Sequence, residues 1–235
     1  NFVVLLRIKW YPRLKVNATR MKTLLNFSVW VLGATIVDFA GNNYSNILMG
    51  KRYSMSELGL YAKGVQVPEM ICLYTFGAIS SVLLPTLSIH KNNSDTLKHI
   101  CKRLVEISSY IIFPMMLGLG LIASKLVPFL FTERWKASVP IFIFVCVYYA
   151  VNPFRTINMQ LVYALGDSKK GVMIEIIRAA LLIVGMSLCV FVLQTSIYGI
   201  ACTSAVVAVI NVLITQFFAK RYIGYGYVEW IRDMM

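Results

Sequence analysis

Two arginines stand where their charge is costly. Arg155 follows Asn152-Pro153-Phe154 inside an apolar run over about 138–165, and Arg178 lies in the next run, three residues after Glu175. A guanidinium stays charged in a low-dielectric setting and can hold two oxygens of a phosphate or carboxylate with parallel hydrogen bonds. Anion capture is therefore the chemistry these residues offer. For Arg178 a second reading stands beside it, a local ion pair with Glu175 across one helical turn. Asn158, between Thr156 and Gln160, adds amide hydrogen-bonding capacity to the run that carries Arg155.

A second constellation lies earlier in the chain. Thr35, Asp38, Asn42 and Asn46 are spaced three, four and four, with Ser28 on the same stripe. That spacing stacks them on one face of a helix. Such a stripe either lines a water-filled cavity or ties helices together by hydrogen bonds. Glu69, beside Pro68, reads as an acid near a helix start rather than a proton site. Little else suggests chemistry. Cys72, Cys101, Cys146, Cys189 and Cys202 are scattered singly and read as small packing residues. His90 and His99 lack ligand spacing, and GxxxxGK[ST], HExxH and GxSxG are all missing. No catalytic residue, cofactor or metal is expected.

The elements that must position these residues follow from composition. Of 235 residues, 58% are apolar and 14% charged, with mean hydropathy +0.70. A soluble domain carries about 25% charged residues. Apolar runs of about twenty residues or more suit a hydrocarbon core about 30 Å thick. They predict an all-α integral membrane protein, a polytopic bundle with spans near 24–49, 60–89, 108–131, 138–165, 171–193 and 197–219. Pro153 marks a kink or break in the fourth, its freed carbonyl needing a cavity or a neighbouring group. Residues 224–235, with Tyr227, Trp230 and Ile231 among charges, read as a short amphipathic interfacial helix. Residues 1–22 read as the tail of a helix, Phe2 to Leu6, whose beginning is missing, followed by a basic connector. The chain is accordingly expected to be a piece of a longer protein, its six-helix lobe occupying 23–223.

A net charge of +13 would suggest nucleic acid in a soluble protein. Here the basic residues sit mainly between apolar runs, so they read as topogenic, with membrane lipid rather than nucleic acid as the partner. Counted over alternate connectors, one side holds fifteen Lys and Arg and the other six, which places both ends of the chain in the cytoplasm. Connectors of at most about 15 residues leave no room for a soluble catalytic domain. Arg155 then lies about ten residues, or about 15 Å, from the cytoplasmic end of its helix.

The connector "IKWYPRLK", followed by the striped helix ending in "NNYSNILMGKRYSMSELGLYAKG", resembles the second half of bacterial polysaccharide transporters. The segments "LLPTLSIH", "IIFPMMLGLGLIASKLVPFLFTERWKASVP" and "NPFRTINMQLVYALGDSKK" fit the same pattern in the same order. These transporters are lipid-linked oligosaccharide flippases of the multidrug/oligosaccharidyl-lipid/polysaccharide exporter superfamily, serving O-antigen, capsule and exopolysaccharide synthesis.

The resemblance implies twelve to fourteen helices in two lobes around a central cavity, this chain forming most of the second lobe. It implies alternating access in the bacterial inner membrane. The cargo would be an undecaprenyl-pyrophosphate-linked glycan, with a polysaccharide polymerase and export proteins as possible partners. Arg155, with Arg178, would then meet the pyrophosphate, and the stripe bearing Asn42 and Asn46 the sugar hydroxyls, with Asn158 a further substrate-binding candidate. Asp38 departs from this pattern, because it sets a negative charge where an anionic substrate is expected. It either pairs with an arginine or couples transport to a cation. Rival readings are a cation-coupled multidrug exporter of the same superfamily, a peptidoglycan-precursor flippase, and a membrane-embedded glycan polymerase. The last generally needs a large outer loop, and every outer connector here is short.

Overall fold

The computed structural model describes residues 18–234, apart from the side chains of 18–20, 23, 26, 27 and 78. The expected helix tail and most of the basic connector fall outside that range. Seven α-helices follow one another: α1 Ala18–Arg52, α2 Met55–Ile89, α3 Ser94–Phe131, α4 Val139–Ala164, α5 Ser168–Ser187, α6 Ile197–Ile223 and α7 Tyr227–Met234. A 3₁₀ turn, Glu133–Ser138, leads into α4, and a π turn, Leu188–Val192, ends α5. There is no strand among the described residues.

Five of these helices, α2 to α6, are long and apolar enough to cross a membrane. The chain is a multi-pass membrane protein. Helix α1 is as long as α2, 35 residues each, but carries the polar stripe. Large apolar side chains such as Phe39, Leu117, Leu121, Phe129 and Phe191 point outward, as a surface solvated by lipid requires.

Local chemistry explains the boundaries. Ser54 and Glu57 form a reciprocal capping box that starts α2. Asn93 caps α3 and Asp167 caps α5 by accepting backbone N–H bonds. Gly224 ends α6 in the left-handed conformation, φ 64°, which glycine adopts without steric cost. The capping box also corrects the reading of Glu69: α2 begins at Met55, so Glu69 sits four turns inside the helix rather than near its start.

Prolines sit within α2, α3 and α4 without ending them. Pro153 removes the hydrogen bond that would reach back to residue 149. The Tyr149 carbonyl instead lies 3.9 Å from the Cys72 thiol on α2. A neighbouring helix thus meets the freed carbonyl, and α4 continues through the proline.

Helix α4 is the hub, packed on α2, α3 and α6, while α1 lies along α5. Helix α7 does more than lie at an interface. Trp230 is buried, edge-on to Phe154 of α4 with ring centroids 5.8 Å apart. Glu229 and Asp233 pair with Lys98 and Lys102 of α3 at 2.7 and 3.0 Å. The amphipathic start of α3 is therefore the dock for α7. Helices α1 and α2 touch little, and the space between them becomes the site.

Candidate functional site: a polar cavity over a four-charge network

A cavity of about 890 Å³ lies between α1, α2, α4, α5 and α6. Helix α1 contributes Asn42, Ser45, Asn46 and Met49, spaced at three and four residues so that one face meets the cavity. Facing them are Tyr61, Gln66 and Glu69 of α2 and Tyr148 and Tyr149 of α4, with Ser204 of α6. Successive helices run in opposite directions, so all these residues belong to the end of the bundle that carries the α1–α2 connection. Glu69 is the only charged side chain among the described residues that line this space.

Beneath it, sharing Tyr148, Leu182 and Ser204 as a common floor, lies a second, small cavity of about 20 Å³. Asn152, Arg155, Arg178 and Asn211 line it. Here the two arginines from neighbouring helices meet.

Their charges are met in turn by two carboxylates. Arg178 Nε donates to Glu175 Oε2 at 2.8 Å, and its Nη2 donates to Asp38 Oδ1 at 2.5 Å. Its Nη1 donates to Asn42 Oδ1 at 3.2 Å, while Asn42 Nδ2 donates to Asp38 Oδ2 at 3.2 Å. Arg155 pairs with Glu175 and reaches Asp38 Oδ1 at 3.7 Å. Two positive and two negative groups thus form one neutral network across α1, α4 and α5. Neutrality matters at this depth, because an unpaired charge in a low-dielectric interior costs several kcal/mol, by rough estimate. The backbone permits the approach: a Cβ on Gly41 would lie 3.2 Å from that of Ala179, so a side chain there would push α1 and α5 apart by a few tenths of an ångström.

Of the residues read from the sequence, Arg155, Arg178, Asp38 and Asn42 are brought together, and Asn46 lines the large cavity. Of the two roles left open for Asp38, the structure displays the pairing with an arginine. The Glu175–Arg178 pair is present as well. Asn158 is placed elsewhere. It is buried, and its amide donates to Gln216 Oε1 at 3.0 Å and to Thr215 Oγ1 at 3.4 Å, tying α4 to α6 and lining neither cavity. Thr35 donates to the Val31 carbonyl of its own helix.

Tyr61, Gln66, Tyr148, Tyr149, Ser204 and Asn211 are site residues that the sequence patterns do not single out. A weak signal existed for α2, where Tyr61, Val65 and Glu69 recur at four residues along one face. For Asn211, a lone amide in an apolar run, position alone could not say what it faces.

Residues 1–140 match the model of a family described as polysaccharide biosynthesis protein. The chain is 22% identical over 229 residues to the teichuronic acid biosynthesis protein TuaB of Bacillus subtilis, covering 97% of this chain and 47% of that protein. It is 21% identical over 136 residues to the succinoglycan biosynthesis transport protein ExoT of Rhizobium meliloti, covering 57% and 27% respectively. Among solved structures it resembles the outward-facing conformation of a multidrug resistance MATE family transporter, of the MOP superfamily. That likeness has a TM-score of 0.56 and 13% identity, over 91% of this chain and 50% of the other, and it speaks for the fold alone. The chain spans about half the length of TuaB and of that transporter, and less of ExoT.

Proposed function

Because this chain belongs to the polysaccharide biosynthesis protein family, we propose that it forms one lobe of a flippase for lipid-linked oligosaccharides. The cargo would be a glycan repeat unit on undecaprenyl pyrophosphate, moved across the inner membrane by alternating access between two lobes. A polysaccharide polymerase and export machinery would consume it on the far side. The observation that carries this reading is the convergence of Arg155 and Arg178 just beneath the floor of a tyrosine-lined cavity.

The division of labour follows from chemistry. A diphosphate needs charged, forked donors, and the two guanidinium groups supply them. Sugars need neutral donors and acceptors beside aromatic surface, and Asn42, Asn46 and Gln66 with the tyrosines provide both. If the basic connectors are cytoplasmic, the cavity opens outward and the arginines lie below it, toward the inner leaflet. The relatives named for the synthesis of teichuronic acid and the transport of succinoglycan support a polysaccharide cargo. A cation-coupled drug exporter fits less well, since Glu69 is the one charge among the described residues on the cavity wall and Asp38 is already paired with arginine.

The test is made in the full-length protein in its native host. Arg155→Ala should abolish surface polysaccharide and leave lipid-linked repeat units inside the cell, at unchanged protein level. Arg155→Lys should retain part of the activity, because an ammonium keeps the charge and loses the fork. Normal export by Arg155→Ala would reduce this residue to a structural role and remove the assignment.

A further inference from the structure

The two acids of the network are not equivalent. Glu175 is 5% exposed and fixed between Arg155 and Arg178, whereas Asp38 is 40% exposed and comes from a different helix. The same site holds hydrogen-bond donors that remain unspent. Arg155 Nε has no partner among the described residues, and neither polar atom of Asn211 has one, although that residue is 0% exposed. Both residues line the small cavity beside the arginines. A buried, unpaired amide is costly, by about 1–3 kcal/mol, and its persistence at this place points to a ligand.

We propose that Asp38 is a resident competitor for the substrate's diphosphate and that Asn211 belongs to the same anion site. This rests on the flippase reading above. Without substrate, the Asp38 carboxylate occupies the arginine pair. A diphosphate, with more acceptor oxygens, displaces it and also engages Arg155 Nε and Asn211 Nδ2. The cavity of about 20 Å³ is too small for a diphosphate, and Asp38 contacts the arginines from outside it, so the anion needs both release of the arginines by Asp38 and a parting of the helices around them. Asp38 is part of the contact between α1 and α5, so substrate binding and loosening of that contact become one event. A ligand shifts a conformational equilibrium only through its differential affinity for the two states, and the exchange of carboxylate for diphosphate supplies that difference.

The test uses radiolabelled farnesyl diphosphate and the full-length protein in nanodiscs. Asp38→Asn, which keeps the size and an acceptor but drops the charge, should bind the probe about tenfold tighter than wild type. Asn211→Leu should bind at least fivefold weaker with an unchanged or higher Tm, since replacing an unpaired buried amide by an apolar group relieves a cost. In a background free of native cysteines, a disulfide between Gly41→Cys and Ala179→Cys, which α1 and α5 can admit by parting a few tenths of an ångström, should then keep the two helices together and weaken binding tenfold, restored by reductant. This third arm keeps Asp38 in place and so does not depend on the folding of Asp38→Asn. Unchanged binding by the cross-linked form, or no gain in a folded Asp38→Asn, would overturn the competitor role. Wild-type affinity in Asn211→Leu would remove that residue from the site. If in these cases Arg155→Ala still loses the probe, the flippase reading stands. Wild-type binding by Arg155→Ala, or no binding by any form, would bring down both.

Discussion

Asp38 Oδ1 lies 2.5 Å from Arg178 Nη2, joining α1 to α5 across 140 residues of sequence by a charge-assisted hydrogen bond. The bond is one edge of a network in which each arginine meets both acids and Asn42 bridges Asp38 and Arg178. Its stability is collective, and removal of different members has unequal consequences.

Glu175→Ala should be the most damaging change, leaving the buried Arg178 and the partly buried Arg155 with Asp38 alone. The expected loss is about 3–5 kcal/mol, the range for breaking a buried pair. Asp38→Ala should cost less, about 1–3 kcal/mol, because Asp38 is partly open to solvent that screens the charges left behind. Thermal melting of the detergent-solubilised full-length protein checks the order. A Tm for Glu175→Ala at or above that of Asp38→Ala would contradict it.

The Lys and Arg asymmetry predicts opposite faces for two exposed lysines. A cysteine at Lys136, in the turn before α4, should react with a membrane-impermeant maleimide in intact cells. A cysteine at Lys91, between α2 and α3, should react only after the membrane is opened. The reverse pattern would invert the topology and place the cavity mouth on the cytoplasmic side.

Asp167, between α4 and α5, carries a pH dependence of definite sign. Burial raises its pKa, but hydrogen bonds from Lys170 and Tyr222 outweigh this and hold it below the ordinary 3.8. The contribution is therefore complete above the unfolded value and is lost as pH falls through the lower, folded value. Wild-type Tm should drop more steeply than that of Asp167→Asn as pH is lowered through that window. Parallel curves would show that the Asp167 cluster contributes nothing to folding.

Helix α7 should be held mainly by Trp230. Trp230→Ala removes a buried aromatic packed on Phe154, at about 3–5 kcal/mol locally. Limited proteolysis should then cleave near Gly226 much faster than in wild type, while the solvent-accessible pair of half-buried Lys98 and exposed Glu229 can be removed with little effect. Equal protection in both variants would mean that α7 is anchored by something other than its aromatic face.

Much of the architecture was legible before any coordinates. Apolar runs longer than a bilayer is thick located α2 to α6, whereas the expected first span, 24–49, falls on α1, which is not among the five helices apolar enough to cross; the three-four-four spacing of the α1 stripe gave the face that Asn42 and Asn46 present to the cavity. Helix starts were less legible: the capping box at Ser54 and Glu57 begins α2 at Met55, which puts Glu69 well inside the helix rather than near its start. Helical periodicity is a short-range property, written within a few turns.

What periodicity states is which face of a helix is polar, and not which neighbour that face will meet. Asn158 and Arg155 lie on one helix three residues apart, yet packing turns the first toward Gln216 on α6 and the second toward Glu175 on α5. The sequence by itself determined a polytopic helical membrane protein with buried arginines and a polar stripe, because composition and spacing act locally. Only the tertiary structure decided that Asp38 neutralises Arg178, that Asn211 stands unpaired beside Arg155, and that tyrosines from α2 and α4 wall the cavity. Those are contacts between segments distant in the chain, and they depend on helix crossings that the close approach of Gly41 to Ala179 and the hub position of α4 select.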